Sequence, residues 1–430
     1  MDTAWRVRRR SSIRGELWRD VAEGPRRRAE APSARAAIAL LVLCTATAAR
    51  AQDLPSGPVT LANGAIVIGT DVSVSLTPQD DTEGAWFNYT DYEHNALRLF
   101  RLAVNADVRI TDRVSVLTEI RSENGDAVKP YALYVRVRPW RDRPVDVQAG
   151  RIPPTFGAFA RREYGPGNPL IGYPLAYQYL TAARADALPA STDDVLRMRA
   201  RGWRPSYPIG SLDVATGMPL ITTFRWDTGV QVRVGPESIN ASLAVTNGTA
   251  SDPRTRDTNG GKQVAGRLHW RPSAPFAIGG SAASGAYVAD AALASATMIE
   301  GASRSSQHAL GLDAEYSRDH WMVRGELIWN RWELPTLSRT LDATSAFVEG
   351  RYKISPGIFV ATRIDRLSFS ELPSSFGTAT WDAPVTRLET GAGYYIRRNL
   401  LAKGTYQHNW RDGGTVTSRG LFAAQLQFWM

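Results

Sequence analysis

The residues of this chain that could do chemistry are mainly charged, and they recur at even spacings among apolar neighbours. Arg101 and Arg109, Arg136 and Arg138, Arg351 and Lys353, and Arg387 and Arg397 follow this rule, and Arg324, Arg363, Lys403 and Arg419 stand in the same setting. Asp107, Glu119, Asp146, Glu326, Glu349, Asp365 and Glu389 occupy equivalent places. A basic excess gathered along one face would draw anions, most strongly where low-dielectric walls narrow around it. The commoner fate of any one such charge is to pair with an opposite charge on a neighbouring strand and stiffen a wall.

Bond-making chemistry has little to stand on. His94, His269, His308, His320 and His408 lie far apart without H-x-x-x-H spacing, and neither G-x-S-x-G nor a phosphate loop occurs. Asp193-Asp194 reads as a solvated loop end rather than an acid pair. Cys44 is the only cysteine, so a disulfide or a thiolate metal site has no second ligand. No catalytic residue, metal or cofactor is expected. The basic residues form no stripe of the kind that binds nucleic acid.

The elements that would position these charges are strands. Phe100, Leu102, Val104, Ala106, Val108 and Ile110 alternate with Arg101, Asn105, Asp107 and Arg109. After Thr111-Asp112-Arg113 the alternation restarts, with Val114, Val116, Thr118 and Ile120 set against Ser115, Glu119 and Arg121. Period-2 alternation is the mark of a half-buried strand. No run approaches the roughly 18 apolar residues of a membrane helix, and mean hydropathy is −0.26.

Connections between these strands alternate in length. Thr111–Arg113, Gly235–Glu237, Arg271–Pro275, Ser317–His320, Ser355–Gly357 and Arg397–Asn399 are short. Residues 77–95, 123–130, 153–194, 247–262, 289–306, 333–342, 370–384 and 411–417 are longer polar stretches. Sorting of loops by parity is the habit of transmembrane β-barrels, with short periplasmic turns and long outer loops. Candidate strands begin near 65, 99, 113, 131, 145, 195, 210, 226, 238, 263, 276, 307, 320, 343, 357, 385, 399 and 418. The expected fold is therefore all-β, a transmembrane antiparallel barrel of eighteen strands. Sixteen is the alternative if the weak pair 195–204 and 210–217 is removed. Trp321 and Trp329 share a face, and eight residues at a 40° tilt rise about 20 Å, close to the ~25 Å apolar band and its aromatic girdles.

The N-terminus reads as a leader. Arg8 to Arg10 and Arg26 to Arg28 precede an apolar run, Ala36 to Ala49, and the small-residue site Ala49-Arg50-Ala51. This order matches a signal peptide with a basic extension, 1–51. Its removal takes away 11 arginines and 5 acids and leaves 40 basic against 37 acidic residues, so the overall charge of +9 says little about partners. Residues 52–64 would be a periplasmic segment and 65–430 the barrel.

One stretch carries a family resemblance. Gln148-Ala149-Gly150-Arg151-Ile152-Pro153-Pro154-Thr155-Phe156-Gly157 resembles the glycine, polar, then proline-phenylalanine-glycine element of phosphate-selective-type outer-membrane porins. The last strand, with Phe422, Leu426 and Phe428 before Met430, is similar to an outer-membrane assembly signal, which usually ends in an aromatic residue. The resemblance implies an outer-membrane channel, often a homotrimer. It carries neither phosphate specificity nor any site residue to this chain.

The expected function is passive diffusion of small hydrophilic solutes, with an anion bias, across a membrane whose lipids surround the wall. The alternatives are a non-conducting structural or adhesive barrel and an outer-membrane barrel hydrolase. Segment 153–194 contains Arg161, Arg162, Glu163, Tyr164, Tyr173, Tyr177 and Tyr179 and is too long for an ordinary loop. It is expected to fold into the lumen or to cap it. In the first case Arg161 and Arg162 would bias the pore toward anions. The leader predicts that N-terminal sequencing of protein extracted from envelope membranes starts at Gln52; a retained 1–51 would overturn the secretion argument.

Overall fold

The structure, a computed structural model, describes residues 55, 57–78, 86–88, 95–162, 167–223, 226–297, 305–375 and 377–430. The expected leader, 1–51, lies outside these residues, as do His94, Glu163 and Tyr164.

Among the described residues sixteen strands form one ring. They are β1 Ile66–Leu76, β2 Phe100–Arg109, β3 Val114–Glu123 and β4 Lys129–Val137, then β5 Val145–Ile152, β6 Asp227–Val234, β7 Ile239–Thr246 and β8 Gln263–Ser273. β9 Phe276–Ala286, β10 Ser306–Arg318, β11 Trp321–Trp332 and β12 Leu341–Ser355 follow. β13 Ile358–Phe369, β14 Val385–Arg397, β15 Leu400–Arg411 and β16 Ser418–Trp429 complete it. Each strand pairs antiparallel with its neighbours in sequence order, and β16 returns to β1 with Asp71 opposite Trp429 and Leu76 opposite Ala424. Closure leaves no strand edge unpaired. The short strand Val59–Leu61 lies outside the ring and pairs only with the start of β1.

The expected eighteen strands are corrected to sixteen. The pair 195–204 and 210–217 does not join the wall. Ser191 and Asp194 form a reciprocal capping box, with Asp194 N donating to Ser191 Oγ at 3.2 Å and Ser191 N donating to Asp194 at 3.1 Å. That box starts helix α2, Thr192–Arg197, after the one-turn helix α1, Leu175–Gln178. Pro205 and Pro208 then remove the backbone donors a ladder would need. The connection from β5 to β6 is accordingly 153–226, not 153–194. The stretch 123–130, read as long, is a short connection, because β4 already begins at Lys129. The remaining alternation of short and long connections stands, so the ring has a short-turn rim and a long-loop rim.

The outer face is apolar. Leu133, Leu312, Ile364 and Phe422 are each more than half exposed around the ring. Trp270, Tyr316, Trp321 and Tyr394 point outward near the short-turn rim, and Trp410 near the long-loop rim. Trp329 shares this outward face, with the Arg331 guanidinium 4.8 Å from its ring. A continuous apolar band of this extent suits hydrocarbon and not water. Among the described residues no helix is long and apolar enough to cross a membrane. The core lies inside the ring, where Phe156, Phe159, Tyr177 and Leu220 of segment 153–226 meet Ile328, Trp332, Leu367 and Val385 of the wall.

Strand parity makes a direct prediction. Arg at outward Val104 should lose about 2–4 kcal/mol at mid-membrane and fail to assemble, whereas Arg at inward, exposed Asn105 should be tolerated. Equal yields of heat-modifiable barrel from Val104→Arg and Asn105→Arg would refute the assigned faces.

Candidate functional site

The inner face changes character with height. On β11 to β14 it is apolar toward the long-loop rim, with Ile328, Trp332, Leu341, Leu367, Phe369 and Val385 buried. At mid-height it is charged, and toward the short-turn rim Arg109, Lys353 and Arg397 are exposed.

Segment 153–226 occupies the inside of this wall. It leaves β5 at Pro153-Pro154, and Gly157 turns with φ +79°, where a Cβ would lie 2.4 Å from Tyr177 Oη. The expected porin-like stretch is therefore the point at which the chain turns inward. Phe156 seats beneath Gly311 of β10, where a Cβ would come within 3.0 Å of its ring. From Asn168 to Arg184 every residue is buried.

The mid-height charges form a ladder. Arg324, Glu349, Arg363, Glu389 and Gln407 are opposite one another on five successive strands, β11 to β15. Arg324 meets Glu349 at 2.6 Å, Arg363 meets Glu349 at 3.1 Å and Glu389 at 2.7 Å, and Gln407 donates to Glu389 at 3.2 Å. Arg363 also meets Asp365 at 3.1 Å. One register further, Arg387 lies opposite both Asp365 and Asn409 and donates to Asn409 at 2.7 Å.

This ladder holds the insert by its backbone. Gly172 N donates to Glu389 at 2.8 Å, and Arg363 donates to Gly172 O at 2.8 Å. Arg324 donates to Gly167 O at 2.7 Å, Arg387 to Tyr173 O at 2.9 Å, and Lys403 to Asn168 O and Leu170 O at 3.1 Å each. Glu326 accepts from Ala158 N and Tyr177 Oη, both at 2.8 Å. At the long-loop rim Asp382 accepts from Ala182 N at 2.7 Å and Ala200 N at 2.9 Å. Burial pushes its carboxyl up to about 6, against those backbone donors, which pull it down.

The charges expected to line a water-filled bore thus divide. Arg101, Arg324, Arg363 and Arg387 are buried instead, Arg101 bonding Glu123 at 2.8 Å and Tyr173 Oη at 3.2 Å. Burial follows from the insert, which covers them and supplies acceptors. Arg136 and Arg138 face Asp146, the second at 3.7 Å. Arg351 lies 5.8 Å from the Phe359 ring. Arg109 and Arg397 are exposed near the short-turn rim. Arg162 pairs with Glu315 at 2.8 Å, so it is not an uncompensated charge at a narrowing. Arg161 ends a 3-10 turn, Phe159–Arg161, and its side chain, like Glu163, lies outside what the structure describes.

Sequence reasoning missed a cavity of about 720 Å³ at the long-loop rim. Arg121, Lys129, Arg151, Arg254 and Arg256 face Glu123, Asp126 and Asp252 across it. Its walls are β3, β4, the connection 247–262 and the insert, which contributes Leu180, Met218 and Thr222. Arg121 stacks 3.4 Å from the Tyr131 ring and bonds Glu119 at 3.2 Å. Lys262 beside Asp257 on the rim holds that carboxyl below its usual value. The available signal was the run of charges from Asp252 to Asp257.

No protein-family model and no curated protein matches this chain by sequence. Solved structures match by shape. OmpT of Vibrio cholerae aligns with a TM-score of 0.52 over 86% of this chain and 100% of its own, at 8% identity. OmpF of Salmonella typhi, solved with daunomycin, aligns with a TM-score of 0.53 over 85% of this chain and 97% of its own, at 11% identity. The chain has the closed β-barrel fold of these proteins. Identities this low extend the likeness to the closed wall alone.

The ladder predicts a strong single-site effect. Arg363→Met leaves three buried carboxylates facing an apolar side chain and should cost about 3–5 kcal/mol. The expected result is new protease cleavage inside 153–226 at a temperature that leaves wild type intact; unchanged cleavage would show that the ladder does not hold the insert.

Proposed function

We propose that this chain is an outer-membrane, porin-like channel for passive diffusion of small hydrophilic solutes, biased toward anions and narrowed by segment 153–226. One observation carries the reading: a closed ring of sixteen strands is apolar outside and carries charged side chains inside, at mid-height and toward the short-turn rim. Such a tube is stable where hydrocarbon surrounds it, and its polar interior is a route for water and solutes. The bias is supported by the rim cavity, where five cations face three carboxylates. The proposal includes removal of 1–51 on export and assembly as a homotrimer, the state implied by the resemblance at 148–157.

A sealed barrel of structural or adhesive role is the second reading. It is favoured by the complete burial of Glu349, Arg363, Asp365 and Glu389, which closes that part of the wall to bulk solvent.

Planar bilayers separate the two. The channel reading expects step conductances and a reversal potential displaced toward chloride in a salt gradient. Glu at exposed Lys129 and Arg256 should move that potential toward cations. Deletion of 167–184 should raise conductance while heat-modifiable mobility on gels persists. A folded protein that never conducts would replace the channel with the sealed barrel.

A further inference from the structure

The rim cavity has two kinds of lining, and they point to a more specific occupant than a simple inorganic anion. We propose that it binds an organic carboxylate with an apolar body, an aryl or alkyl acid. The proposal deepens the channel reading and rests on it for the ligand's onward path.

Size comes first. A volume of about 720 Å³ lies within the roughly 300–1,000 Å³ of pockets that enclose small organic molecules. A bare phosphate or chloride would leave most of it to water. The apolar lining comes next. Leu180, Met218 and Pro219 come from the insert, Pro130 and Tyr131 from β4, and Pro253 from the connection 247–262. Apolar side chains on three sides of a solvated cavity favour a ligand that covers them.

The charged lining is arranged for a carboxylate. Arg254 is held in place, with Nε on Asp252 at 2.9 Å and Nη2 on Tyr287 O at 2.5 Å. Its side chain is nine-tenths buried, and Nη1 has no hydrogen-bond partner among the described residues. Held by those two acceptors, its positive charge stands on the cavity lining without further ordering. Arg256, two residues on, is exposed at the same cavity. Guanidinium groups bind carboxylates through paired N–H donors, which a lysine cannot reproduce. Glu123, Asp126 and Asp252 on the same lining offset three of the five cations and so disfavour multiply charged anions.

The probe is 2-naphthoate, titrated calorimetrically into the full-length protein in detergent. Three controls accompany it: 2-naphthamide, which keeps the rings and lacks the charge, and acetate and inorganic phosphate, which keep the charge and lack the rings. The expected result is saturable binding of 2-naphthoate, with each control at least about tenfold weaker. Arg256→Gln should weaken 2-naphthoate about tenfold and leave 2-naphthamide unchanged. Arg254→Gln should do the same, with heat-modifiable mobility confirming that it folds. Equal binding of the amide, equal binding of phosphate or acetate, or an unaffected Arg256→Gln variant would each overturn the proposal. Binding is read without conductance, so a protein that binds 2-naphthoate and does not conduct keeps this site and loses the channel.

Discussion

The insert is held at mid-height around four residues that strand register sets side by side. Arg324, Glu349, Arg363 and Glu389 alternate in sign across β11 to β14. Taking them out of water is costly, and their mutual attraction offsets that cost only because each finds several partners. Arg363 satisfies two ladder carboxylates, Asp365 and the carbonyl of Gly172 at once. The arrangement is consequently all or none. A wall shifted by one residue would turn these charges to the outer face and leave the insert without anchors. Burying ions in this way contributes little net stability and a great deal of specificity.

The insert answers the wall level by level. Where the wall is apolar, Phe159 meets Phe347 at 6.4 Å and Tyr179 meets Phe369 at 6.3 Å. Where the wall is charged, the insert offers mostly backbone amides and carbonyls at Gly167, Asn168, Leu170, Gly172 and Tyr173. Gly172 fits there because a Cβ would lie 2.5 Å from Glu389. Backbone groups are weaker partners than opposite charges, but they come at fixed spacing and need no side-chain ordering. The rim cavity forms where the insert stops following the wall, between Leu180 and Thr222 on one side and β3 and β4 on the other.

Much of the wall was legible in the sequence because its faces see different solvents and alternate strictly. Leu102 outward and Arg101 inward, or Leu388 outward and Arg387 inward, could be read from parity alone. The ladder could not, since parity tells which face a residue takes and not which residue stands opposite. Segment 195–217 misled for a related reason. Its apolar and polar residues alternate for a while, yet Ser191 and Asp194 start a helix and two prolines strip its donors. The functional reading of Arg161 and Arg162 rested on composition, and composition could not show that Glu315 on β10 would reach Arg162.

The insert also sets an order of events during assembly. β5 and β6 are neighbours in the ring, yet the chain between them, 153–226, is roughly eighteen times longer than the turn 235–238 joining β6 to β7. Bringing ends together over that length costs about 2.5 kcal/mol more than closing a tight hairpin. Hairpins such as β6–β7 and β10–β11 can form from local pairs, while the β5–β6 seam must wait for a long excursion to fold back. The insert cannot anchor until β11 to β15 have lined up their charges. Its final seating is therefore a report on the register of strands made last in the chain, a built-in proofreading step in which a misaligned wall fails to retain its contents.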